Sequence, residues 1–423
     1  MLPNPRVKSE YARDVLTLMS GTTVAQAIPV VITPVLTRIY SPAEFGLFAV
    51  YMALISIGTM IATGRLEMAV LIARKDSEAL RLSLVSFTIS GVFSILTLFV
   101  IVIWGQQIAE LTGQPEIKSW LYIVPFSIFL FSVYKVLLHW LNRKKHYELM
   151  SQTRVIQSGS ISALQVVVGV ATKIVPGLAL ADCLGRAVSL VLIFRRIKHS
   201  VKLPGFNRVK QYALIRRYRK FPFLGSPASL LNILSLQMPY LIIPAIFSSA
   251  VAGLYFLVFR ILMMPISVLG EAMLEVFRNK AMESLEEHGT CRPVFIKTLS
   301  SLVMIGLPPT LLLMLFGTEI FAFVFGEEWR EAGLYATILA PMALFRLVCA
   351  PLGGVLFIRE KLALVLMLQS LFLLMVILSL ILGWINQDPV LLVIFLSVSG
   401  CLFYLLQALS SFRLSTVASN RAA

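Results

Sequence analysis

The sequence predicts an all-α polytopic membrane protein of about twelve transmembrane helices. They form two parallel six-helix lobes related by a pseudo-twofold axis along the membrane normal. Three observations predict this: long apolar runs along the whole chain, a one-sided placement of Lys and Arg, and landmarks repeated in the same order in both halves. Hydrophobic residues make up 58% of 423 and charged residues 14%, against about 45–50% and about 25% in a soluble domain. Such a chain cannot cover its apolar surface in water.

The runs fall at 15–38, 45–73, 81–103, 119–141, 154–172, 176–194, 221–246, 250–277, 297–317, 332–358, 361–384 and 389–412. Each is long enough to cross a hydrocarbon core of about 30 Å as a helix. They are continuous rather than alternating, which excludes barrel strands. The longest predict tilt, or extension beyond the bilayer.

With the N-terminus placed in the cytoplasm, 28 of the 37 Lys and Arg fall in cytoplasmic segments. Four fall in exported loops (Arg38, Lys118, Lys173, Arg330) and five inside spans (Arg65, Lys135, Arg186, Arg260, Arg346). That asymmetry follows the positive-inside rule and puts both termini in the cytoplasm. The net charge of +16 then belongs to the anionic inner leaflet, not to nucleic acid. Ala25-Gln26-Ala27 mimics a signal-peptidase site, but cleavage there would leave eleven spans and invert every loop. Cys183, Cys349 and Cys401 lie in spans and Cys291 in a cytoplasmic loop; without metal spacing they read as small packing residues.

The two halves share their landmarks. Ser41-Pro-Ala43-Glu-Phe-Gly46-Leu47-Phe48 follows the first span, and Ser248-Ser-Ala250-Val-Ala-Gly253-Leu254-Tyr255 follows the seventh. Spans one and seven each hold a proline pair, Pro29/Pro34 and Pro239/Pro244. Spans three and nine end in Gly105-Gln-Gln-Ile108 and Gly317-Thr-Glu-Ile320. Pro125 precedes Arg143 and Lys145 as Pro341 precedes Arg359 and Lys361. A duplicated unit of six spans keeps its orientation, so the predicted lobes are parallel: residues 1–194 and 221–423, joined by a basic connector at 195–220. Transporters built this way bind their substrates between the repeats near the midplane.

Four segments carry a family resemblance: "SGTTVAQAIPVVITPVLTRIYSPAEFGLFAVY" (20–51), "GRLEMAVLIARK" (64–75), "NRKKHYELMSQTR" (142–154) and "VAGLYFLVFRILMMPISVL" (251–269). They resemble the bacterial polysaccharide flippases of the Wzx type. These belong to the superfamily that also holds multidrug extruders and peptidoglycan precursor flippases. The resemblance implies an inner-membrane protein of two six-helix lobes. It also implies a substrate, an undecaprenyl-pyrophosphate-linked oligosaccharide turned from the cytoplasmic to the periplasmic leaflet for a surface polysaccharide such as O-antigen or capsule. Membrane lipids and other polysaccharide assembly proteins are the further partners it suggests.

A charge at the bilayer centre costs about 2.5–3.5 kcal/mol even on the lenient insertion scale, so each asks for a partner. Arg346 lies about 20 Å from either end of its run by helix rise, and Arg260 is also deep. Neither has an acid within a helical turn. A cavity that admits a pyrophosphate would account for both, since guanidinium matches phosphate oxygens bidentately. An interhelical ion pair is the structural alternative. Lys135, on one face of span four with His139, and Arg65 complete the expected cationic site. Asp182 and Arg186 have the i, i+4 order of a helical ion pair and, with Glu67 and Glu271, are the expected gate or ion-coupling residues. The connector carries ten Lys/Arg and no acid across 195–220 and is broken at Pro204-Gly205. It predicts an amphipathic helix on the leaflet surface, with Val209, Tyr212 and Ala213 on one face.

There is no G-x-x-x-x-G-K-[ST] phosphate loop, and no cofactor or metal site is expected. The exported loops are too short for a periplasmic catalytic domain. The expectation is a non-enzymatic flippase working by alternating access. One rival is a cation-coupled drug exporter of the same superfamily, which would want Asp and Glu in its cavity. A membrane-bound glycan polymerase or transferase is the other.

Overall fold

The computed structural model describes residues 5–172, 176–197, 208–218 and 226–416. Everything regular among them is helical. The helices are α1 (Pro5–Ile39), α2 (Pro42–Thr63), α3 (Leu66–Ile72), α4 (Asp76–Leu111), α5 (Ile117–Leu121) and α6 (Val124–Arg143). Then come α7 (Tyr147–Thr172), α8 (Gly177–Ile197), α9 (Arg208–Tyr218) and α10 (Ser226–Ile246). The rest are α11 (Ser249–His288), α12 (Arg292–Phe325), α13 (Arg330–Leu352), α14 (Gly354–Ile358), α15 (Leu362–Asn386) and α16 (Pro389–Ser415). Twelve spans long and apolar enough to cross a membrane are found among the described residues. The chain is a multi-pass membrane protein.

Burial is inverted relative to a soluble protein. Phe323, Leu111 and Met304 are 86%, 81% and 79% exposed, whereas Ser90, Ser127, Ser132 and Thr33 are fully buried. Lipid is the solvent for the outer side chains, and small hydroxyl residues let helices approach inside. At 40 residues, α11 is about 60 Å long. That is twice a hydrocarbon core, so its C-terminal part projects beyond the bilayer.

Two runs expected to be continuous are broken. The run 45–73 stops at Thr63 because Gly64 and Arg65 both adopt left-handed backbone (φ 51° and 58°) before α3 begins. The run 332–358 divides at Gly353 into α13 and α14. Pro125 starts α6 after a break, whereas Pro341 lies inside the unbroken α13, so these two prolines do different local work. Other landmarks recur in detail. Ser41 caps α2 by accepting from the Glu44 N–H, and Ser248 caps α11 by accepting from the Val251 N–H. Lys145 and Glu360 each take a left-handed turn, with the next N–H reaching back five residues, His146 to Leu141 and Lys361 to Leu356. That is the Schellman helix stop, repeated in both halves.

The chain divides into two compact units, residues 1–233 and 234–423, with the boundary inside α10. In the first, α1 packs along α7, α7 on α8, and α6 against α2, α4 and α8. In the second, α13 is the hub, packed on α11, α12 and α16. A helix forms within the connector as α9, with Leu214 and Tyr218 buried in a cluster with Leu82, Val136 and Trp140 of the first unit. Arg217 also pairs with Glu78. The face that packs is thus Leu214/Tyr218, while Ala213 is exposed. The Pro204-Gly205 break and the side chains of Val209 and Tyr212 lie outside the described residues.

Candidate functional site

In the first unit the ionisable residues gather around α6 and α8. Arg186 donates to Asp182 twice, Nε to Oδ2 at 2.7 Å and Nη2 to Oδ1 at 2.9 Å. Both residues are buried. The Tyr51 hydroxyl lies 3.2 Å from Asp182 Oδ2 and 2.6 Å from Ser127 Oγ, so the carboxylate is held from α2 as well as α8. On the other side, the Arg186 guanidinium stands 4.3 Å from the Phe131 ring centroid, and Lys135 Nζ stands 4.8 Å from the same ring. One aromatic ring thus serves two cations, each contact contributing about 0.5–2 kcal/mol.

Glu67 is buried, and its Oε2 has no hydrogen-bond partner. A buried carboxylate oxygen without a hydrogen-bond partner is costly to keep charged. Arg65 is aimed by its left-handed backbone, and its guanidinium donates to Ser229. Arg143, at the end of α6, is structural: it pairs with Asp76 at 2.9 Å and donates to the Leu71 and Ala73 carbonyls that end α3.

In the second unit Arg346 lines a cavity of about 20 Å³ with Ser235 and Pro239 of α10, Tyr255 and Phe259 of α11, and Phe372 and Tyr404 of α15 and α16. No carboxylate lines it. The guanidinium stands 5.9 Å from the Phe259 ring centroid, Nη1 is buried without a hydrogen-bond partner, and no ion pair among the described residues includes it. The rings around it form two groups. Tyr240, Tyr255, Phe256 and Phe259 pack at 5.6–6.0 Å, and Phe372 stacks on Phe403 at 4.3 Å.

Such a volume admits one water molecule, not a diphosphate. A larger anion therefore needs α10 and α11 to part from α15 and α16. Arg260 follows Phe259 in sequence but does not line this cavity. Glu271 and Glu275 are exposed on α11 beside Arg278, on a solvated helix face.

Sequence reading missed Tyr51, Ser127, Phe131, Phe259 and Tyr404. Only Phe131 left a signal, four residues before Lys135 and so on the same helical face.

A profile of the polysaccharide biosynthesis protein family matches residues 35–334, more than half of the chain. The chain belongs to that family. Lipopolysaccharide biosynthesis protein WzxC of Escherichia coli (strain K12) is 22% identical over 334 residues, 77% of this chain, and the chain spans 65% of that relative's length. Two solved transporters share the fold of this family member. An inward-facing multidrug resistance MATE family transporter of the MOP superfamily is 16% identical, with a TM-score of 0.70 over 96% of each chain. The lipid II flippase MurJ in an inward closed conformation is 12% identical, with a TM-score of 0.69 over 92% of this chain and 87% of that one.

Proposed function

We propose that the chain is a flippase moving a polyprenyl-pyrophosphate-linked oligosaccharide from the cytoplasmic to the periplasmic leaflet of the bacterial inner membrane by alternating access. The observation that carries this reading is Arg346: a cation lining a cavity without a carboxylate, its Nη1 buried and without a hydrogen-bond partner. An anion with several phosphate oxygens is the ligand that satisfies such a group. Arg260, Lys135 and Arg65 are the further cations of the path. Glu67, whose Oε2 lacks a hydrogen-bond partner, is the candidate for ion coupling, whereas the buried, bidentate Asp182–Arg186 pair is a brace of the first unit rather than the expected gate. Family membership and the flippase name of one structural neighbour support the substrate class. The drug-exporter reading is weaker, because a cationic drug would be repelled at Arg346.

Depletion of the protein in its native cell tests the reading. A lipid-linked oligosaccharide should accumulate on the cytoplasmic leaflet while surface glycan falls. Loss of drug resistance without that accumulation would favour the exporter.

A further inference from the structure

The second unit holds another cavity that the cationic site does not use. It has a volume of about 300 Å³, at the lower end of the about 300–1,000 Å³ found for small-molecule pockets. Three helical stripes wall it: Phe295, Leu299 and Val303 of α12, Leu344 and Val348 with their neighbours on α13, and Leu405, Ala408 and Phe412 of α16. Every lining residue is apolar, and none lines the Arg346 cavity. Val348, Cys349 and Ala408 are buried, whereas Leu405 and Leu409 are 41% and 50% exposed. The crevice therefore has a closed floor and an open lip.

Its ends are set by sequence. A Cβ on Gly306 would stand 2.7 Å from Leu344 Cδ1 and 2.9 Å from Leu347 Cδ2, so α12 and α13 are in close contact there and the crevice stops. From Gly306 back to Phe295 is about 16 Å of helix, half of a hydrocarbon core of about 30 Å. At the other end the Arg292 guanidinium lies 5.1 Å from the Phe412 ring centroid, and Phe412 packs on Phe295 at 5.5 Å. Arg292 is exposed and opens α12 on the basic side of the protein.

We propose that this crevice seats the polyprenyl chain of the substrate while its diphosphate rests at Arg292, a loading site occupied before the headgroup reaches Arg346. The inference rests on the flippase reading above. Three features select this occupant: the crevice is one leaflet deep, it carries a cation at its mouth, and its volume of about 300 Å³ is too small for two leaflet-long chains. A polyprenyl diphosphate has one chain and an anionic head. A phospholipid brings two chains side by side, one of which would have to leave the crevice.

The experiment uses the full-length protein in proteoliposomes with two photoreactive probes. One is farnesyl diphosphate with a diazirine on its last isoprene unit, the other phosphatidylglycerol with a diazirine in one acyl chain. The first should label the peptides holding Leu299, Val303, Leu344 and Leu405, and excess unlabelled phosphatidylglycerol should not displace it. Filling the crevice by Ala408→Trp should cut labelling about tenfold, the equivalent of about two buried methylenes. Leu405→Trp, on the exposed lip, keeps the test decisive if the first variant fails to fold, with thermal unfolding midpoints as the control. Labelling confined to other helices overturns the proposal, as does equal labelling by phosphatidylglycerol or undiminished labelling in both folded variants. Failure of the flippase reading itself would show in the depletion experiment, where the accumulated lipid is read without reference to the crevice.

Discussion

Arg346 and Arg186 are both guanidiniums inside the membrane, yet their surroundings set them different tasks. Arg186 has a bidentate carboxylate, a ring and near-complete burial, which is the environment of a structural pair. Removing one partner strands the other, a cost of about 3–5 kcal/mol. Asp182→Ala should therefore lower abundance and the thermal midpoint of the purified protein, and Asp182→Leu with Arg186→Leu should restore both. If Asp182→Ala folds normally but does not transport, the pair is a gate and not a brace. Arg346 has rings and an unsatisfied nitrogen instead. Arg346→Ala should abolish glycan export at normal protein abundance, whereas Arg346→Lys should keep part of it, because a point charge attracts phosphate without the bidentate geometry. Normal export by Arg346→Ala at normal abundance removes the residue from the site. The sequence made Arg346 conspicuous because no acid lies near it along its helix. Its aromatic setting was illegible, since Phe259, Phe372 and Tyr404 come from three other helices and nothing in their local pattern marks them.

Helices were legible as runs, and their interruptions were not. Hydropathy averages over residues, so it passes through Gly64-Arg65 and Gly353 without a mark, although the backbone turns left-handed at the first and the helix divides at the second. Ser41 and Ser248 were visible as aligned positions, but their capping role needed the backbone. The contact between α12 and α13 shows what small residues do at this scale. A Cβ on Gly333 would lie 2.4 Å from the Gly317 carbonyl oxygen and 2.5 Å from Thr318 Cα. Backbone cannot yield as a side chain end can, so Gly333→Val must push the helices apart. Overpacking of this kind costs about 1–3 kcal/mol, and the thermal midpoint in detergent should fall. Gly159→Val, where a Cβ would meet nothing within 4 Å, is the matched control and should not lower the midpoint. Equal effects from the two substitutions would mean that close approach at Gly333 does not hold α12 to α13.

At the scale of the whole molecule, orientation decides what every site can meet. Gln114 lies in the turn after α4 and Asn386 ends α15, whereas Lys144 and Gly289 lie in the turns after α6 and α11. Lys and Arg concentrate at the second set: Arg143, Lys144 and Lys145 at one, Arg278, Lys280 and Arg292 around the other. Charges of this kind are retained on the cytoplasmic side during insertion, and there they also meet anionic headgroups at about 1 kcal/mol each. Alkaline phosphatase, active only after export, should therefore work when fused at Gln114 or Asn386 and stay silent at Lys144 or Gly289. A fluorescent protein that matures only in the cytoplasm should give the complementary pattern. The same result places Arg292, at the start of α12, on the leaflet where a newly made lipid-linked sugar is found. An active phosphatase at Gly289 would invert the protein. Arg292 and the apolar crevice above it would then face the leaflet that receives product, and loading through that crevice would be ruled out along with the positive-inside orientation.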